Sequence, residues 1–409
     1  MHRNVIVGQS GGPTAVINSS LVGVFKTAKD RGADKVYGML HGIQGLLDGK
    51  YVDLSEHIKT DLDIDLLKRT PSSFLGSCRY KLPEIKDGLD VYEKIFKLLE
   101  ELDIEAFFYI GGNDSMDTIK KLSDYAILTG SDIKFMGVPK TIDNDLACTD
   151  HTPGFGSAAK YIAAASKEVI RDSLVYDVSS VTILEIMGRN AGWLTAAAAL
   201  SRGEDCSGVD MLFLPELPFD PDVFTEKVKL LVAKKKSIVI AVSEGIKVAD
   251  GRYVFELGAH SESIDAFGHK RLQGTARYLA DLLEDRLSIK TRAIALNTLQ
   301  RCAAHMTSRV DITEAFQVGG AAVKAAFEGE TGKVIVLERV SEDPYICTIN
   351  SQDVHKIANV EKKVPLDWIT EDGTYVSDEL IHYIRPLIQA ELSPVMVDGL
   401  PRHLSLTQL

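Results

Sequence analysis

Along the 409-residue chain, short runs of β-branched and aromatic residues alternate with stretches whose apolar positions recur at helical spacing. One unit repeats: an apolar run, a loop rich in Gly, Ser or Asp, then a helical pattern. Asn4–Val7 precedes GQSGGPT and a helix through Lys29, and Ala106–Ile110 precedes GGNDS and a helix through Tyr125. Lys134–Val138 precedes PKTIDND, Val181–Ile186 precedes MGRNAGW and an Ala-rich helix, and Ser237–Val242 precedes SEG. Strands alternating with helices in this way predict βαβ units and parallel sheets covered on both faces. The unusual loops then fall at the carboxyl ends of strands, where open α/β sheets bind their ligands.

Composition narrows the class. Hydrophobic residues make up 45% of the chain and charged residues 25%, a globular average that excludes a disordered or fibrous protein. The length allows two or three domains, at roughly 100–200 residues each. Against 58 Asp+Glu stand 46 Lys+Arg, a net charge of −12, which argues against nucleic acid or an anionic membrane as partner, since either needs a broad basic face. Any positive charge that serves an anionic ligand must be local. The start MHRNVIVGQSGG lacks the longer apolar core of a signal peptide, and no apolar run approaches the ~18–20 residues that span a bilayer. The five cysteines (Cys78, Cys148, Cys206, Cys302, Cys347) are scattered singly, which reads as reduced thiols in a cytoplasmic protein with neither disulfides nor a zinc site.

Two loops, Gly8–Thr14 and Gly111–Ser115, place glycines between a strand and a helix. Glycine lets the backbone approach an anion closely, and the helix that follows aims free N–H groups and its dipole at it. Tight strand-to-helix turns need glycine in any α/β protein, but a pair of such loops points to a chain of phosphates. GQSGG also satisfies G-x-S-x-G with Ser10 as nucleophile; it follows the first strand and no HGGG segment accompanies it, so a hydrolase is not supported. Neither a Walker A motif nor a true G-x-G-x-x-G is present. The third loop, Pro139–Asp145, carries the chemistry: Asp143 and Asp145 stand beside Thr141 and Asn144, so a carboxylate can take a proton from a hydroxyl. Lys140 adds a cation where phosphoryl transfer develops charge. A solvated turn would explain an isolated D-N-D; its place after an apolar strand and beside two phosphate-type loops favours catalysis.

SGG at Ser10–Gly12, FLGSCR at Phe74–Arg79, GGNDS at Gly111–Ser115, PKTIDND at Pro139–Asp145, TPGFGSA at Thr152–Ala158, MGR at Met187–Arg189, SEG at Ser243–Gly245 and LQR at Leu299–Arg301 occur in one order. Together they resemble the 6-phosphofructokinases, and more closely the pyrophosphate-dependent branch of that family. The blocks cover residues from about 8 to 301; beyond about 350 no motif is matched. The resemblance implies an α/β phosphofructokinase fold of two Rossmann-like lobes with mainly parallel sheets and an active site in the interlobe cleft. The donor lobe would take 1–148 and about 302–350, the fructose-6-phosphate lobe about 149–301 with 351–409. A helical pattern at Ser377–Ala390 in that tail has no role assigned.

The resemblance also implies roles. Asp143 would be the general base on the 1-hydroxyl of fructose 6-phosphate, which attacks the terminal phosphorus of pyrophosphate to give fructose 1,6-bisphosphate and phosphate. Thr141, Ile142 and Asp145 would position the sugar, and Gly11, Gly12, Arg79, Gly112 and Ser115 would hold the donor. Met187, Gly188, Arg189 and Glu244 resemble the sugar-binding set, Arg301 resembles a 6-phosphate ligand, and Arg292 one supplied across a subunit interface, which implies a homodimer or homotetramer. Mg²⁺ is the implied cofactor. Asn113 stands at the metal position where many relatives have Asp; its amide can ligate but adds no charge.

Donor choice rests on two positions. Where ATP-using relatives have glycine, this chain has Asp114, whose carboxylate would repel a nucleotide α-phosphate, and Lys140, whose ammonium can reach a small pyrophosphate. Taken alone, Asp114 also reads as the N-cap acid of a helix beginning near Ser115, and Lys140 as a surface lysine. Ser180 and Thr298 depart from the bacterial ATP enzymes, which have arginine and histidine there.

Overall fold

The structure, a computed structural model, describes residues 4–258 and 274–406. Its strands run β1 Asn4–Gln9, β2 Val36–Met39, β3 Tyr51–Asp53, β4 Ile104–Gly111, β5 Lys134–Pro139, β6 Ser180–Ile186, β7 Met211–Phe213, β8 Ser237–Ser243, β9 Lys290–Ala295, β10 Lys333–Glu342 and β11 Tyr345–Asp353. The chain divides into two compact units, Met1–Ser157 with Arg301–Glu361 and Gln389–Leu409, and Ala158–Gln300 with Lys362–Ile388.

The first unit is built on a seven-stranded sheet in the order β11-β10-β5-β4-β1-β2-β3. Pairing is parallel from β2 through β1, β4 and β5 to β10, and antiparallel only at the edges, β2 with β3 and β10 with β11. From β1 the chain winds outward to β2 and β3, then returns to lay β4 on the other side of β1. The order therefore reverses between β1 and β4, the kind of switch point where α/β sheets open a crevice for ligands. Central strands such as β4, with Phe107, Phe108, Tyr109 and Ile110 buried, read as continuous apolar runs because helices cover both faces. On one face the helices Ile17–Asp30 and Arg309–Phe327 pack at close range across glycines: a Cβ on Gly23 would lie 2.0 Å from the Phe316 carbonyl oxygen, and one on Gly319 2.1 Å from that of Ser20.

The second unit carries a fully parallel four-stranded sheet, β7-β8-β6-β9, over a core of Val181, Ile183, Ile238, Ile240, Val242, Leu279 and Leu283. The mostly parallel α/β architecture expected of the chain is thus present. Among the described residues no helix is long and apolar enough to cross a membrane. All five cysteines are free thiols.

Three local expectations are corrected. The Ala-rich segment after MGRNAGW is a single turn, Trp193–Ala196, tightening into a 3-10 stretch Ala197–Ser201 that is buried almost throughout, so packing rather than alanine's propensity sets its form. The helical pattern at Ser377–Ala390 is α-helical only over Asp378–Ile384 and 3-10 over Arg385–Ile388, because Pro386 has no N–H to continue the ladder. The tail, expected in one piece with the second lobe, is shared between the units. β11 completes the first sheet and Leu404 donates its N–H to Thr70 Oγ1 at 3.0 Å, whereas Trp368 and Tyr383 pack on Trp193 of the second unit.

Candidate active site

In the first unit, the loops after β1, β4 and β5 meet at the switch point. The Ser10 amide donates to the Ile110 carbonyl and the Lys140 amide to that of Gly111, so each loop starts by bonding to its neighbour strand. The Ser10 and Ser115 hydroxyls hydrogen-bond, which engages the serine of the G-x-S-x-G pattern with a hydroxyl and no histidine. A Cβ on Gly111 would fall 1.7 Å from Ser115 Oγ and 3.1 Å from Ser10 Oγ, so this glycine leaves the room in which the two hydroxyls meet. Gly11, at φ +75°, donates its N–H to the Cys78 carbonyl and accepts from Ser77 Oγ at 2.6 Å, which ties the segment bearing Arg79 to the Gly8–Thr14 loop.

Lys140 is 3% exposed and donates to the Gly12 carbonyl at 2.7 Å; it is no surface lysine. Burial lowers its pKa, Asp143 and Asp145 resist, and Arg301 and Arg79 add to the lowering, for a value of about 8. A Cβ on Gly11 would stand 3.3 Å from Lys140 Nζ, and one on Gly12 3.2 Å from an Arg301 terminal nitrogen. The two glycines thus admit two cations to one loop. Arg301, expected as a sugar-phosphate ligand, lies against the Gly8–Thr14 loop in this unit.

Asp143 sits in a tight turn: its amide donates to Thr141 Oγ1 at 3.1 Å, and that hydroxyl donates at 3.4 Å to Asp143 Oδ2. Asn144, at φ +54° and fully buried, accepts the Thr152 amide on Oδ1 at 3.1 Å. Asp145 is raised to about 7 by burial first, then by Asp143 and Glu361. Glu361 comes from beyond the last recognisable motif; Leu146 forms a β-bridge with it, which brings the tail beside the acidic pair. Asn113 is half-buried with its amide atoms out of solvent; Oδ1 has no hydrogen-bond partner among the described residues, and the side chain faces Asp145, whose ionised form it favours.

The helix after β4 spans Asn113–Thr129 with Gly112 as its cap. Asp114 therefore lies inside the first turn and is not the cap; its carboxylate is 67% exposed and paired with Lys81 at 3.1 Å. Gly112 and Ser115 flank this turn, Ser115 buried. Thr141 and Ile142 are buried, Arg79 exposed.

The second unit gathers the remaining residues in two groups. At the carboxyl end of β6, the Met187 amide donates to Gln300 Oε1 and the Gly188 amide to Glu244 Oε1, each at 3.3 Å, while Ser243 Oγ donates to the Gly188 carbonyl. A Cβ on Gly245 would meet the Arg189 carbonyl oxygen at 2.0 Å, so the MGR and SEG loops interlock only because that residue is glycine. Glu216 braces the adjoining turn by accepting the Gly192 and Val364 amides. Arg292 stands apart on the edge strand β9, ion-paired with Asp172 at 2.9 Å. Beside that edge Leu174, Val175, Tyr176 and Val178 are each more than half exposed.

Set against known proteins, residues 4–326 match the phosphofructokinase family. The chain belongs to that family. It is 40% identical over 409 residues to a Methylococcus capsulatus protein named pyrophosphate–fructose 6-phosphate 1-phosphotransferase, covering 99% of this chain and 96% of the relative. A Halomonas elongata protein of the same name is 39% identical, covering 98% of this chain and 95% of its own. The crystal structure of a pyrophosphate-dependent phosphofructokinase from Nitrosospira multiformis superimposes with a TM-score of 0.88 at 36% identity, covering 98% of this chain and 95% of that one.

Proposed function

We propose that this chain transfers a phosphoryl group from pyrophosphate to the 1-hydroxyl of fructose 6-phosphate, giving fructose 1,6-bisphosphate and phosphate, in either direction. The observation that carries the reading is the Lys140 ammonium, buried and fixed on the Gly12 carbonyl within the donor loop. A cation held so deep suits a short, highly charged donor and leaves little room for a nucleotide. Relatives of nearly the same length and about 40% identity carry the name of this activity.

The steps are assigned as follows. Asp143 takes the proton of the 1-hydroxyl as the oxygen attacks the terminal phosphorus in line, and the other phosphorus leaves as phosphate. Thr141, Ile142 and Asp145 orient the sugar hydroxyl. Lys140, Arg79 and Arg301 balance the charge that builds on the transferring group, and the backbone of Gly11, Gly12 and Gly112 with Ser115 cradles the donor. Met187, Gly188, Arg189 and Glu244 hold the sugar.

The residues fit Mg²⁺ as cofactor. Asn113 Oδ1 is a buried oxygen without a partner among the described residues, and Asp143 and Asp145 stand in the loop beside it. Among the described residues no group of three or more acidic, His or Cys side chains forms a metal cage, so pyrophosphate oxygens would supply most of the coordination. Bound there, the ion would neutralise phosphate charge. Arg292, with the exposed apolar residues Leu174–Val178 at the edge of β9, supports a homo-oligomer in which a second copy covers this edge. A metabolic enzyme with small phosphorylated substrates would work in the cytoplasm.

The test is a coupled assay with pyrophosphate and ATP at equal Mg²⁺, run in both directions. Turnover with pyrophosphate and little with ATP is expected. Strong ATP turnover would transfer the chain to the ATP-using reading.

A further inference from the structure

The loop that carries Asp143 is tied at both ends to the segment after it. The Thr152 hydroxyl donates to the Thr141 carbonyl at 2.7 Å, the Thr141 amide donates to the Pro153 carbonyl at 3.2 Å, and the Thr152 amide holds Asn144 Oδ1 at 3.1 Å. Asp143 lies between these tie points. Its aim therefore depends on what fixes Thr152 and Pro153.

The preceding residue supplies the anchor. His151 is 1% exposed, with Nδ1 2.8 Å from Asp150 Oδ1 and Nε2 2.7 Å from Glu314 Oε2. A carboxylate offers only acceptors, so both ring nitrogens must donate, and the ring is an imidazolium. Each carboxylate is itself held: Asp150 by Arg339 Nη2 at 3.0 Å and Nε at 3.3 Å, Glu314 by the Tyr345 hydroxyl at 2.7 Å. One turn earlier on the helix of Glu314, Asp311 accepts the Gly154 and Ser157 amides, both at 2.8 Å. Two carboxylates of one helix thus grip the segment on either side of Thr152 and Pro153.

We infer that His151 is a positioning residue for phosphoryl transfer, an ionic anchor that holds Thr152 and, through it, the Thr141–Asp145 loop. The inference rests on the proposed function for its kinetic part. The network is charge-balanced, with His151 and Arg339 against Asp150 and Glu314, and Tyr345, Cys347 and Asp311 are the other titratable groups facing it. Burial opposes the charge on His151, but Glu314 and Asp150 outweigh it and lift its pKa to about 9. At neutral pH the anchor is therefore charged.

The experiment compares the full chain with His151→Gln and Thr152→Val, the second keeping shape while removing the hydroxyl. Each variant, folded by circular dichroism, is expected to lose kcat by about tenfold to a hundredfold with the KM for pyrophosphate within about twofold, because the Gly11 and Arg79 loops do not hang on this segment. The double variant is expected to lose no more than the worse single one, since the two act in series. Amide exchange should quicken over residues 141–145 in His151→Gln and stay unchanged at 10–12 and 77–79. Should His151→Gln not fold, Thr152→Val alone decides. Wild-type kcat in a folded variant, kcat and KM changing together, or unaltered exchange in the loop would overturn the inference. Wild-type protein inert with pyrophosphate would instead refute the proposed function, and the exchange data would still judge the anchor.

Discussion

Lys140 reaches across to Gly12, its ammonium 2.7 Å from that residue's carbonyl oxygen, with Gly11 and Gly12 bare enough to admit both it and Arg301. The positive charge that an acidic chain must concentrate somewhere is concentrated here. Lys140→Met, which keeps the stem and removes the charge, is expected to cut kcat/KM for pyrophosphate by about 10²–10³, the cost of losing one preorganised charge in such a site. Calorimetric titration with fructose 6-phosphate should be unchanged; turnover within a few-fold of wild type would remove Lys140 from the transfer step.

Asp114 offers the test of donor exclusion. Its carboxylate is exposed and, among the described residues, pairs with the equally exposed Lys81, so Asp114→Gly should alter stability chiefly through the glycine itself, by about 1 kcal/mol at most. Removing the charge should raise the ratio of ATP to pyrophosphate turnover by about tenfold or more. An unchanged ratio would leave Lys140 and the loop backbone as the excluding features.

Asp145 is held up near 7 by burial, by Asp143 and by Glu361. In the proposed mechanism, orienting the sugar hydroxyl and sparing Asp143 a competing proton both need the ionised form, so kcat/KM should fall as pH drops through this region. Glu361→Gln removes one of the negative neighbours, and the acid limb should then move to lower pH. A profile that does not move would show that Glu361 is screened from the pair.

How much of this was legible beforehand follows the reach of each interaction along the chain. The strands β1, β4, β5, β6 and β8 and the loops behind them are written in neighbouring residues, as apolar runs closed by glycine, and sequence reading places them to within a residue or two. Asp143, Thr141 and Asp145 are legible for the same reason. Arg301 against Gly12, Glu361 beside Asp145 and Glu314 on His151 each join residues far apart in the chain, and no local period records such meetings. His151 itself stands immediately before the matched block TPGFGSA, yet only its two carboxylate partners reveal it as charged. The tail hid its division because the residues that split it, Leu404 on Thr70 and Trp368 on Trp193, act through partners elsewhere.

The glycines between the helices Ile17–Asp30 and Arg309–Phe327 separate local preference from packing. By propensity alone Gly319→Ala should stabilise a helix by about 1 kcal/mol. The added Cβ would lie 2.1 Å from the Ser20 carbonyl oxygen and 3.0 Å from the Val24 amide nitrogen, both backbone atoms that cannot swing away. Overpacking should win, with a net loss of about 1–3 kcal/mol and a lower melting temperature. A rise in melting temperature would mean the helix pair spreads at little cost.

The His151 anchor also has a signature in stability against pH. Its pKa in the folded chain, about 9, lies above the ordinary 6.5, so the stabilisation is complete below about 6.5 and is lost as pH rises through 9. The loss is up to about 3 kcal/mol. Tyr345 is pushed above its usual range and Cys347 to about 12, so neither titrates in this window. Lys140, lowered to about 8, works the other way, its penalty easing as pH rises towards 10.5. The comparison is therefore between wild type and His151→Gln, which share Lys140. The gap between their melting temperatures should be widest near pH 6 and narrow steadily to pH 10. A gap constant across that range would mean that the buried ring is not charged.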